Sequence, residues 1–217
     1  MMGYYSKYTD RMDIHIEESR GTILIKQKWR YFWLNSMNTS RWTYSEKQKF
    51  HKEVDNLIWN SWGKYFFLKV KGNSDFAIRN AKKRWDVNFD IEWVQYGEHW
   101  KVNVTKYPSN HLAHITSGVD WNNKIIKLDT KDTSWRRRVR AQESFYQYPI
   151  AHEFGHAVGN SIHASSGMHG DEYNPSSNYF KDKNSLMNIG NRLKDRHLDY
   201  ILRELNTMVS NSKFSKY

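Results

Sequence analysis

The chain contains no cysteine, which excludes disulfide bridges and any thiolate-ligated metal. It has no stretch approaching the roughly eighteen apolar residues that a membrane span needs, and its mean hydropathy is -0.90. Residues 1–7, Met-Met-Gly-Tyr-Tyr-Ser-Lys, offer no apolar core of a signal peptide. If the protein acts in another compartment, a secretion machine or a fused carrier is expected to take it there. Internal repeats and low-complexity segments are absent too. Acidic residues are outnumbered, giving a net charge of +11. No DNA- or RNA-reading motif accompanies that charge, so no specific nucleic-acid binding is expected. A solvated surface that keeps the protein soluble is the first reading of that charge, with attraction to anionic envelope polymers or acidic substrates as the functional readings. The densest basic run is Arg136, Arg137, Arg138 and Arg140, beside Trp135.

What is present is bulky apolar material: 16% of the 217 residues are aromatic, ten of them tryptophan. One domain over residues 1–217 is expected. Residues 1–19 show no period and read as loosely ordered. Residues 20–130 read as a sheet-rich lobe. Ile23, Ile25, Trp29, Tyr31 and Trp33 alternate along a long strand over 22–33. Thr43 and Glu46 form a capping box, and Phe50, Val54, Leu57, Ile58 and Trp62 follow at helical spacing up to Gly63. Residues 65–71 read as a strand. Val87, Phe89, Ile91 and Trp93 mark another, a turn over 95–98 leads into a further strand with Trp100, Val102 and Val104, and residues 125–129 make a last short one. A final helix is expected over about 192–209, with Leu198, Ile201, Leu202, Leu205 and Met208 facing the core.

The most informative stretch is His152-Glu153-Phe154-Gly155-His156, an H-E-x-x-H pattern. Residues four apart share a helix face, so His152 and His156 can present two imidazole nitrogens to one metal. Glu153 lies where its carboxylate reaches a water at the metal without ligating it, the position of a general base. Pro149 suits the first turn of such a helix. Gly159 and Asn160 suit its end and let the chain turn back with a third ligand. Glu172 is the first choice for that ligand, because carboxylates commonly join two histidines on zinc. Asp171 and His163 are the alternatives, with His169 behind them. One zinc ion per chain is expected. A purely structural zinc is disfavoured, since such sites usually have four protein ligands and often cysteine.

The run from His152 to Gly159, followed by Ser185-Leu186-Met187-Asn188, resembles the metzincin zinc peptidases. The resemblance implies an α+β, zincin-like fold: a twisted mixed sheet over the H-E-x-x-H helix, a Met turn and a C-terminal helix. It assigns Met187 to the floor beneath the metal. The family's third ligand would fall on Ile162, which cannot bind zinc, and Ile189 stands where the Met turn often has tyrosine. Tyr173 and His197 each carry a donor near a motif element, and are candidates to steady a developing oxyanion.

Ala151 to His156, Asp171-Glu172-Tyr173, Ser185 to Gly190 and Arg196-His197-Leu198 look similar to one group in particular. It is the metallopeptidase domain carried as a C-terminal extension by type VI secretion spike (VgrG) proteins of Gram-negative bacteria. Residues 42–47, 58–59, 87–90 and 99–102 share the likeness. It implies an antibacterial toxin acting on protein or peptide in the periplasm of a rival cell, with a spike carrier and an immunity protein as partners. Cleavage of cell-wall peptide crosslinks is an alternative activity. A zinc-loaded but inert binding module is the non-enzymatic alternative.

Overall fold

A computed structural model describes residues 3–108 and 116–217 as an α+β protein built on a mixed nine-stranded sheet. Strands β1 (Tyr4–Tyr8) and β2 (Asp13–Glu17) form an antiparallel hairpin that lies on β3 (Thr22–Asn35). The segment expected to be loosely ordered is therefore part of the sheet. Met12, Ile14 and Ile16 are wholly buried, which supplies the apolar face that holds the hairpin down.

Helix α1 (Tyr44–Trp62) starts on the Thr43–Glu46 capping box, with both reciprocal bonds formed, and ends at Gly63. It buries Phe50, Val54, Ile58 and Trp62. Strand β4 (Phe66–Gly72) and the short helix α2 (Asp75–Arg79) follow, then β5 (Trp85–Trp93) and β6 (Trp100–Lys106). The turn over 95–98 does not pair β5 with β6. Each lies parallel to β3 on opposite sides, and Trp93 and Trp100 both stand in register with Trp29. Strand β8 (Ile125–Asp129) adds parallel to β6, and β7 (Gly118–Asp120) pairs antiparallel with β8 at that end of the sheet.

The arginine run forms β9 (Arg136–Arg140), which pairs with β10 (Glu143–Gln147) as a separate two-stranded hairpin. Helix α3 (Pro149–Ala157) follows directly. The last helix is shorter than its periodicity implies. A 3-10 turn at Asp195–Leu198 leads into α4 (Asp199–Leu205). Strand β11 (Ser212–Lys216) then returns to pair antiparallel with β4.

Helix α3 packs against both α1 and the sheet. Phe154 is fully buried, with ring contacts to Trp29, Trp62 and Phe89. Burying such rings contributes about 2–3 kcal/mol each. Polar bonds set the register of the helix. Trp62 Nε1 donates to Ala151 O at 3.0 Å. On the sheet, Gln27 interrupts the apolar face of β3, where its Nε2 donates to Ala157 O at 2.8 Å and its Oε1 accepts from Trp29 Nε1 at 3.0 Å. No helix among the described residues is long and apolar enough to cross a membrane.

Candidate metal centre

Pro149 occupies the first turn of α3, and every residue of the helix except His156 is buried. That burial orients both imidazoles. His152 Nδ1 donates to Leu186 O at 2.7 Å, and His156 Nδ1 donates to Asn160 O at 2.6 Å. A backbone carbonyl on Nδ1 fixes the tautomer and leaves the Nε2 lone pair facing outward, the usual support for a metal-binding histidine. The two Nε2 atoms converge on one carboxylate oxygen, Asp171 Oδ1, each at 3.1 Å.

Asp171, and not Glu172, is the carboxylate that the structure brings to the histidines. Glu172 points the other way and is fully buried. Arg196 grips it with two bonds, Nε to Oε1 at 2.6 Å and Nη2 to Oε2 at 2.8 Å. Glu172 N also donates to Met187 O at 2.8 Å, so this residue anchors the loop that presents Asp171. Burial raises the Glu172 carboxyl, but the Arg196, His197 and Ser185 bonds prevail and hold it down at about 2. His163 lines the cleft without joining the ligand group. His169 lies against Glu172 and Tyr179.

The donor atoms fit a zinc ion. His152, His156 and Asp171 each offer one atom within 4.8 Å of the others. Two ligands on tetrahedral zinc, with bonds near 2.0–2.1 Å, sit roughly 3.3 Å apart, close to the 3.1 Å seen from Asp171 to each histidine. Burial pulls the His156 imidazole down, but the Asp171 carboxylate beside it, with Glu153 and Asn160, carries it up to about 9. The same contacts hold Asp171 far below the usual carboxylate range, although burial alone raises it. A concentrated negative charge thus faces the two histidines, and a cation would take the place of the His156 proton.

Comparison with known proteins finds no matching family model, no matching curated protein and no matching solved structure.

Beneath the helix lies Met187, fully buried. A Cβ on Gly155 would stand 2.3 Å from Met187 Sδ, so glycine there makes room for the sulfur under the His152–His156 turn. Gly159 has φ +110°, and a Cβ there would meet the Tyr200 ring, so it must be glycine for two reasons. Gln147, which sequence reasoning passed over, clamps the Met turn: its buried Nε2 donates to Leu186 O at 2.7 Å and Gly190 O at 2.7 Å. No periodic or spacing signal marks such a residue.

Glu153 is buried at the floor of a cleft of about 580 Å³, which also exposes Ser117, Gly118 and Val119 from the edge of the sheet. Tyr173 lines the same cleft, with its ring stacked over His152. Burial and the nearby Asp171 and Glu153 carboxylates push its hydroxyl far up, so it remains a proton-bearing donor. His197 does not reach the cleft. It is enclosed, accepting from Lys194 N at Nδ1 and contacting Ser185 Oγ at 3.1 Å. The oxyanion role considered for it is corrected to a structural one.

Burial lowers the His197 imidazole from 6.5 to about 4, against the pull of Glu172. The unfolded chain therefore takes up this proton first as pH falls. Stability from the neutral imidazole is intact above about 6.5 and lost towards pH 4, by roughly 3 kcal/mol. Urea midpoints measured from pH 7 to 4.5 are expected to fall, and to fall less in His197→Gln; identical slopes would refute this assignment.

Proposed function

We propose that the chain is a zinc-dependent metallopeptidase of the zincin type. The observation that carries this reading is the convergence of His152, His156 and Asp171 on one point beside the buried Glu153 in an open cleft. When bound, zinc supplies Lewis acidity: it polarises a carbonyl and acidifies water. Glu153 accepts the proton of the attacking water and returns it to the leaving amine. Tyr173 donates to the carbonyl oxygen as negative charge develops there. Strand β7, at the sheet edge among the described residues, offers backbone groups to an extended peptide. Gln147, Leu186 and Asn160 keep both imidazoles aimed throughout.

The biological reading rests on the likeness of residues 151–156, 171–173, 185–190 and 196–198 to the spike-borne peptidase domains. On it, the chain is an antibacterial effector delivered by type VI secretion to the periplasm of a rival Gram-negative cell, where an immunity protein would oppose it. Arg136, Arg138 and Arg140 lie beside the cleft and favour a second reading, cleavage of peptide crosslinks in the anionic cell wall.

The test is proteolysis of an unfolded protein such as reduced casein by zinc-loaded chain. Cleavage is expected to stop with a chelator and to return with added zinc. Cleavage that persists after the metal is stripped, or no cleavage of casein or purified wall peptide, would reject the peptidase reading.

A further inference from the structure

Beside the cleft a second recess of about 360 Å³ opens between Glu153 and the face of β9. Alternate residues of a strand share a face, so Arg136, Arg138 and Arg140 all point into it, and all three line it. Two of them are engaged. Arg136 Nη2 lies 2.9 Å from Asp132 Oδ1 and 3.2 Å from Asp129 Oδ1. Arg140 Nη1 donates to Asn188 Oδ1 at 3.0 Å, and its Nη2 donates to Phe180 O at 2.5 Å. These bonds pin the strand at both ends. The Arg138 guanidinium, between them, has no ion pair or hydrogen bond to the described residues, yet it shares the recess with Glu153 and Tyr173. Val139 and Ile189 give the recess an apolar side.

A guanidinium with free donors in the same recess as Glu153 suits a carboxylate, because two parallel N–H bonds match its two oxygens. We propose that Arg138 is a specificity-determining residue that receives a substrate carboxylate, an acidic side chain or a free C-terminus, beside the bond to be cleaved. This rests on the peptidase reading of the cleft. Arg136 and Arg140 hold the strand that aims it, and the aliphatic flank accepts the stem of a glutamate-like group.

The test uses one unstructured peptide, with Glu, Gln or Lys placed in turn at each position and with either a C-terminal carboxylate or an amide. Cleavage is measured for the zinc-loaded wild type, Arg138→Gln, Arg138→Glu and Arg137→Gln. Binding of the same peptides is measured on zinc-loaded Glu153→Gln, with and without Arg138→Gln. At one fixed distance from the cleaved bond, Glu is expected to raise kcat/KM over Gln on the order of tenfold or more. If the C-terminus is the source, the carboxylate form gains over the amide instead. Arg138→Gln should erase the preference and Arg138→Glu should turn it towards Lys. Arg137→Gln, the same loss of charge at a neighbouring residue that does not line the recess, should leave it intact. Cleavage without an acidic preference, or a preference surviving Arg138→Gln, overturns the subsite while the peptidase reading stands. Arg138-dependent binding of acidic peptides with no cleavage of any peptide keeps the subsite and rejects the peptidase. Neither binding nor cleavage rejects both.

Discussion

Glu153→Ala is expected to leave the chain folded and loaded with one zinc, and to lower peptide hydrolysis by about a thousandfold or more. Glu153 contributes nothing to the group of converging donor atoms, which is made by His152, His156 and Asp171. It lies one residue along α3 from His152, buried on the floor of the cleft. Removing it takes away the proton acceptor and spares the ligands. The same variant gives the biological test. Expressed with a periplasmic signal in a Gram-negative host, the wild type should arrest growth and Glu153→Ala should not. Arrest unchanged by Glu153→Ala would reject the effector mechanism, and full hydrolysis by that variant would reject the general-base role.

The second large effect separates two neighbouring carboxylates. Asp171→Ala should weaken zinc binding on the order of a hundredfold or more, and should lower the thermal midpoint of the metal-free protein less than Arg196→Ala does, because the Asp171 side chain is 36% exposed and its contacts with the histidines are partly screened by water. The partner of Glu172 behaves oppositely. Arg196→Ala leaves the fully buried Glu172 carboxylate without its two strongest bonds. Breaking a buried pair in this way costs about 3–5 kcal/mol, which for a chain of this size lowers the midpoint by roughly 10 °C. Zinc titration and thermal melts of both variants decide the matter. A stable Arg196→Ala, or an Asp171→Ala that holds zinc as tightly as the wild type, would show that the two roles are misassigned.

The two acidic residues also show where sequence reasoning reaches its end. Asp171 and Glu172 enter a turn, and their carboxylates face opposite sides. Which of them faces the histidines depends on Arg196, which lies 24 residues further on, and on the bond from Glu172 N to Met187 O. No local pattern encodes either. The Thr43–Glu46 cap was legible because its bonds span three residues. The alternation of Val87, Phe89 and Ile91 was legible because one face of β5 is buried along its length. By contrast, β1 and β11 are short and largely polar, and they become strands by adding to an edge already formed. Arg136, Arg138 and Arg140 read as surface charge because their spacing is that of a strand, and nothing in the run says that its face lies beside Glu153. Helix α3 and its two histidines needed no distant information.

The pairing of β11 with β4 has a consequence for how the molecule is made. Residues 212–216 complete an edge begun by residues 66–72, and Phe214 fills a place against Phe76 and Trp85. During synthesis the early strands must therefore wait, with one side unpaired, until almost the whole of this sequence has emerged. Long sequence separation of this kind slows folding and leaves apolar surface open in the interval. The early strands and the C-terminal part are thus not separable modules: a fragment ending before residue 212 would lack a strand of its own sheet.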